Sequence, residues 1–190
     1  MKFFVIILTL GLASFLQMNQ EQTILGFSEA KLPDYTVDKA FKGGKWYNWV
    51  EKYNLHEQKI EIGLKAKQPH SNANSYNLTV YSRIQISQFD FATKDRCGQV
   101  IDALLNCFPY NCAKLTKNKD QGIKITQSIW ILTEKHIYIA QTACEQVDEK
   151  WIRFRKDFVE AFADVETEII VTECGNLTWM TKEKILSGSQ

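Results

Sequence analysis

Residues 123–145 read IKITQSIWILTEKHIYIAQTACE, two runs rich in Ile, Thr, Tyr and Trp separated by the polar pair Glu134-Lys135. β-branched and aromatic residues fit a pleated, half-buried surface, and two short runs split by a polar pair make an antiparallel hairpin. Residues 123–133 and 136–145 are therefore expected to be neighbouring strands. A connection this short forbids a parallel crossover, so the hairpin sets the class of the sheet around it.

Upstream, residues 59–67 alternate cleanly. Ile60, Ile62, Leu64 and Ala66 share one parity; Lys59, Glu61, Lys65 and Lys67 fall on the other with Gly63. That is a half-buried strand. Residues 68–75 (QPHSNANS) form a turn or loop, and 76–87 alternate again, with Leu78, Val80, Ile84 and Ile86 inside and Asn77, Thr79, Tyr81, Arg83 and Gln85 outside. Residues 45–54 (KWYNWVEKYN) are aromatic-rich and loosely alternating, which predicts one more strand. Between them and the hairpin the period changes. Cys97, Val100, Ile101, Leu104, Leu105 and Phe108 lie on one helical stripe, with Asp90 or Thr93 as a cap and Pro109 as a stop. Downstream, Trp151, Phe154, Phe158, Val159 and Phe162 mark a second helix over 149–163, followed by a strand at 167–174 and a short one at 177–181. The order βββ-α-ββ-α-β is an α+β domain, an antiparallel sheet of about six to seven strands packed by two helices.

The ends read differently. One lysine, an apolar run and small residues at Gly11 and Ala13 form a secretory signal over 1–13, too short to span a bilayer, which needs about 20 residues. Residues 14–42 are a polar lead-in, 43–181 a single globular domain and 182–190 a tail. Secretion or residence in the endomembrane lumen also suits the sequons at Asn77 and Asn176 as glycosylation candidates. All five cysteines, Cys97, Cys107, Cys112, Cys144 and Cys174, lie beyond the signal and are disulfide candidates, with at most two bridges and one thiol over. A Cys107–Cys112 bridge is the plain reading of that close pair, ahead of a zinc site. The remaining connectivity stays open. The odd cysteine is expected to be buried, with a link to a protein partner as the alternative.

Composition excludes several functions. Without Lys2 the chain carries 22 basic and 22 acidic residues, which leaves no basic face for nucleic acid and no strong pull towards an anionic membrane. Hydrophobic content of 45% supplies a real core, and three prolines and nine glycines do not suit a disordered or collagen-like chain. His56, His70 and His136 sit in no catalytic or metal signature, so neither a catalytic set, a metal nor a cofactor is expected. Cys97, near a helix start, is the one thiol that a helix N-terminus could activate. The densest feature is the aromatic cluster Trp46, Tyr47, Trp49 and Tyr53, with large rings on both parities: one set suits a core, the other a ligand or partner.

Gly44-Lys45-Trp46-Tyr47 resembles the first-strand motif of the lipocalin family, G-x-W followed by an aromatic, and residues 37–41 stand where that family places a short helix. WILTE at 130–134 followed by HIYIA at 136–140 is similar to its second motif, T-D-Y between two strands. Thr133 matches, Glu134 stands for the aspartate and Lys135 for the tyrosine. Arg153 or Arg155 stands for its later arginine, and the helix and strand ending near Cys174 are similar to its C-terminal segment. The chain departs from the family where 95–108 reads as a helix, and it lacks the cysteine after the first strand. The resemblance covers 44–60 and 128–175. It implies, as an alternative fold, an antiparallel barrel with a C-terminal helix, holding one small apolar ligand, with Trp46 closing the base.

The expected function is a secreted, non-enzymatic binding protein for a small apolar ligand held between sheet and helices, with Trp49, Tyr53, Tyr81 and Trp130 as ligand-binding candidates. The alternatives are an extracellular protein-binding or assembly subunit and a small secreted hydrolase. A deep pocket favours the first, a flat aromatic patch the second, and a histidine beside a carboxylate in a cleft the third.

Overall fold

The computed structural model describes residues 23–40, 48–69, 80–108, 112–123, 125–144 and 149–188. The signal segment 1–13, the motif at 44–47 and the sequon asparagine Asn77 lie outside them. The hairpin of 123–145 is the centre of the molecule, as β5 (Gln127–Leu132) and β6 (His136–Thr142). Its turn is held by Thr133, whose Oγ1 accepts from His136 N at 2.9 Å and donates to His136 O at 3.0 Å. Every residue of β5 is buried, because both faces of the sheet are covered.

Around this hairpin the remaining strands are β1 (Tyr35–Val37), β2 (Gln58–Ala66), β3 (Arg83–Asp90), β4 (Gln121–Gly122), β7 (Glu168–Glu173) and β8 (Asn176–Met180). The described strands form one sheet in the order β1-β2-β3-β6-β5-β7-β8-β4, with every pairing antiparallel. Three hairpins, β2–β3, β6–β5 and β7–β8, therefore lie side by side. The register aligns Ile62 with Ile86, Ile86 with Ala140, Ala140 with Ile129 and Ile129 with Val171, an apolar row across five strands.

Helices cover both faces. On one lie α1 (Ile24–Lys31), α4 (Glu149–Phe162) and α5 (Lys182–Ser187). Phe154, Phe158 and Phe162, four residues apart, form a stripe on α4, and the fully buried Phe27 of α1 meets their rings at 6.0, 5.6 and 5.3 Å. On the other face lie α2 (Asn48–Lys52) and α3 (Lys94–Asn106), with Cys97, Val100, Leu104 and then Phe108 against Phe89, Trp130, Ile137, Ile139 and Ile170. Thr93 caps α3 through Arg96 N. Cys107–Cys112 and Cys144–Cys174 are the disulfides, and Cys97 is a buried free thiol. The Cys107–Cys112 bridge and the burial of the odd cysteine are as read from the sequence.

The α+β class and the antiparallel sheet hold; the strand count is eight among the described residues. β1 and β4, of three and two residues, are too short to show any alternation. The described sheet is open, with β1 and β4 at its edges, and its pairing gives the barrel alternative no support. Three local expectations are corrected. The strand expected over 45–54 is a helix at Asn48–Lys52, because Val50 and Tyr53, three apart, both turn towards the α3 core. The lead-in contains α1: Ile24 and Phe27 share one helical face and are fully buried, and Thr23 caps the helix through Gly26 N. The tail contains α5, capped by Thr181 and anchored by the buried Ile185.

Candidate functional site

The site grows from the β7–β8 hairpin. Its register pairs Val171 with Thr178 and Ile169 with Met180, so these side chains stand on the face that carries α4 and α5. Above them, Ile152, Arg155 and Lys156, at i, i+3 and i+4, form the flank of α4 next to its buried stripe. α5 returns across the end of the hairpin and brings Lys184, Ile185 and Gly188. Between them lies a groove of about 390 Å³, within the range of small-molecule sites, roughly 300–1,000 Å³. Val171, Met180 and Ile185 supply an apolar floor, and Ile152 stands beside it with 43% of its surface exposed.

The rim is charged. Arg155 Nη1 donates to Glu173 Oε1 at 2.7 Å, which neutralises that side. Lys156 and Lys184 have no ion pair among the described residues. Gly188 ends α5 with φ 72°, a left-handed cap that glycine adopts without strain. It also leaves room for a lysine: a Cβ there would stand 3.1 Å from Lys156 Nζ. The groove therefore pairs an apolar floor with two lysines outside any ion pair among the described residues, and its lining carries one carboxylate besides Glu173, that of Asp120.

Three of the four sequence candidates, Tyr53, Tyr81 and Trp130, do not line this groove. Trp130 is fully buried on the opposite face, its ring 5.2 Å from Phe108 and its Nε1 donating to Ser128 Oγ at 2.8 Å. Tyr53 is half-buried against the same cluster. Tyr81 precedes β3, with Lys65 Nζ 4.0 Å from its ring centroid. The side chain of Trp49 lies outside the described residues. Sequence reading missed the groove because Lys156 and Lys184 look like ordinary solvated positions. The available signal was Ile152, an apolar residue off the buried stripe of α4.

A second constellation lies at the far end of the same face. The β3–β6 register sets Asp90 opposite His136, and His136 Nδ1 is 2.8 Å from Asp90 Oδ1. Gln88 Nε2 donates to the same oxygen at 2.9 Å, and Gln88 Oε1 accepts from Ile24 N at the start of α1. Partial burial acts to raise the Asp90 pKa; the hydrogen bonds from His136 and Gln88 outweigh it and hold the carboxyl below its usual value. His136 lines an open groove of about 1040 Å³ with Tyr138, Phe162, Thr133 and Thr167. Thr133 Oγ1 is committed to its turn, and Thr167 Oγ1 donates to Asp164 Oδ1 at 2.6 Å.

Cys97 is no activated thiol. It is fully buried, burial pushes its pKa up to about 12, and its Sγ points at Thr133 O. The alternative of a partner linked through the odd cysteine finds no support here, since Cys97 Sγ is buried beneath α3. Asn176 is exposed at the start of β8, with its side chain on the same face as Thr178. Among the described residues no group of three or more His, Cys, Asp or Glu could hold a metal ion, and no helix is long and apolar enough to cross a membrane. No family model matches the chain, no curated protein matches it, and no solved structure matches it.

Proposed function

We propose that this chain is a non-enzymatic binding protein of the extracellular or luminal space, whose groove between β7–β8 and α4–α5 takes a small molecule with an apolar body and an acidic end. One observation carries the reading: Val171, Met180, Ile185 and Ile152 make an apolar bed, and Lys156 and Lys184 stand at its rim without ion pairs among the described residues. An apolar tail gains about 25 cal/mol per Å² withdrawn from water, and the lysines orient the acid group. Two disulfides are compatible with an oxidising compartment. The exposed position of Asn176 suits a glycan.

Fluorescence displacement with dodecanoate and dodecanol tests it. Dodecanoate is expected to bind saturably, and Lys156→Glu with Lys184→Glu to weaken it by about tenfold while leaving dodecanol unchanged. Absence of saturable dodecanoate binding, or equal weakening of both ligands, removes the reading.

The hydrolase alternative rests on His136 beside Asp90 in a cleft. With both neighbouring threonines tied into turns and Cys97 protonated, a bound water is the remaining nucleophile. An ester hydrolysis rate that is unchanged in His136→Ala removes that alternative.

A further inference from the structure

The groove between β7–β8 and α4–α5 carries a third charge outside any ion pair, and its sign is negative. β4 runs antiparallel beside β8, with Gln121 opposite Leu177 and Gly122 opposite Asn176. Leu177 is fully buried on the α3 side of the sheet, and residues directly opposite each other share a face. Gln121 therefore turns to that side, and Asp120, one residue earlier, lines the groove on the other. The backbone that carries Asp120 is tied down by its neighbours. Gln121 Oε1 accepts from Thr116 N at 2.9 Å, Gln121 Nε2 donates to Lys114 O at 3.2 Å, and Ile123 N donates to Gly175 O at 2.8 Å.

Five charged side chains line the groove: Asp120, Arg155, Lys156, Glu173 and Lys184. Arg155 and Glu173 neutralise each other. Lys156, Lys184 and Asp120 remain, none of them in an ion pair among the described residues. The two cations come from α4 and α5, which lie over the sheet, and the anion comes from the loop that enters β4 at the sheet edge. The apolar floor of Val171, Met180 and Ile185 belongs to the same groove. A ligand head with an acid group alone meets the lysines but also faces Asp120, and like charges in one site oppose binding. A head that carries an acid and an ammonium group matches both signs.

We propose that the groove takes an amphiphile with a zwitterionic head, its anionic group held by Lys156 and Lys184 and an adjoining quaternary ammonium held by Asp120. This rests on the acid-binding reading of the same groove and adds to it the cation, with Asp120 as the residue that selects it.

The probes are dodecylphosphocholine and dodecanoate, each kept below its micelle-forming concentration and titrated into the disulfide-bonded protein by fluorescence displacement. Dodecylphosphocholine is expected to bind saturably and at least about threefold more tightly than dodecanoate, a modest factor because Asp120 is exposed. Asp120→Asn should weaken dodecylphosphocholine by about threefold and tighten dodecanoate by a similar factor, while Asp120→Glu keeps the preference. A folding defect weakens both ligands, so shifts of opposite sign belong to the charge alone. Saturable dodecanoate binding with dodecylphosphocholine no tighter, or an Asp120→Asn variant that moves both ligands in the same direction or neither, would overturn the zwitterion and leave the acid-binding reading standing. Absence of saturable binding by both probes removes that reading and this inference with it.

Discussion

The two faces of the sheet are built from the same strands and differ in what they tolerate. The face under α1 and α4 is a layer of isoleucines against a phenylalanine stripe, with no strand side chain there left buried and unpaired among the described residues. The face under α2 and α3 has an aromatic centre at Phe89, Phe108 and Trp130, yet among the described residues it carries four unpaired buried polar atoms on its strands: Glu61 Oε1, Gln85 Nε2, Ser87 Oγ and Trp179 Nε1. A buried polar atom without a partner costs roughly 1–3 kcal/mol. Both faces thus bury an apolar core, and among the described residues only the second carries this cost on its strands. Proteins keep such costs where a ligand or a water offsets them.

Replacing Phe158, fully buried at the centre of the aromatic stripe, should break this contrast most severely. Phe158→Ala is expected to lose about 3–5 kcal/mol in urea unfolding. A loss under about 1 kcal/mol would mean that the stripe is not the principal core.

The Asp90–His136 pair at the end of the same face gives a smaller, pH-dependent effect. The Asp90 pKa is lower folded than unfolded, so its contribution is complete above the unfolded value near 3.9 and disappears as pH falls through the folded one. Asp90→Asn should cost about 1 kcal/mol at pH 7 and nothing in strong acid. Equal destabilisation at both pH values would show that the carboxylate charge plays no part.

Ser87→Ala sharpens the comparison from the other face. The hydroxyl is fully buried and unpaired, so its removal should leave stability within about 1 kcal/mol of the natural protein, on the side of greater stability. Clear destabilisation would mean that Ser87 has a partner and that the α3 face is better satisfied than its geometry indicates.

Long, strongly periodic segments are legible in the amino-acid sequence. Residues 59–67, the stripe from Cys97 to Phe108 and the aromatic helix at 149–163 each present one apolar face over several turns or pleats, and the hairpin at 123–145 is rich in β-branched and aromatic residues on both faces, which leaves a pattern in the chain. Short elements are not legible in this way. The buried apolar anchors are Ile24 and Phe27 in α1, Val50 in α2 and Ile185 in α5; one or two anchors make no period. The groove is hidden for a related reason. Lys156 and Lys184 are 28 residues apart, and only the return of α5 across the β7–β8 hairpin brings both to one rim.

What the sequence determined by itself is therefore the local and periodic part: an antiparallel α+β chain, its central hairpin, two amphipathic helices and the short Cys107–Cys112 loop. Each of these depends on neighbours within a few residues or on one repeated spacing. Tertiary structure decided which polar face was covered, which carboxylate met His136, and which cysteine closed the 30-residue link from Cys144 to Cys174. Those outcomes depend on strand order and register, and strand alternation reads the same whether its polar side meets water or a helix.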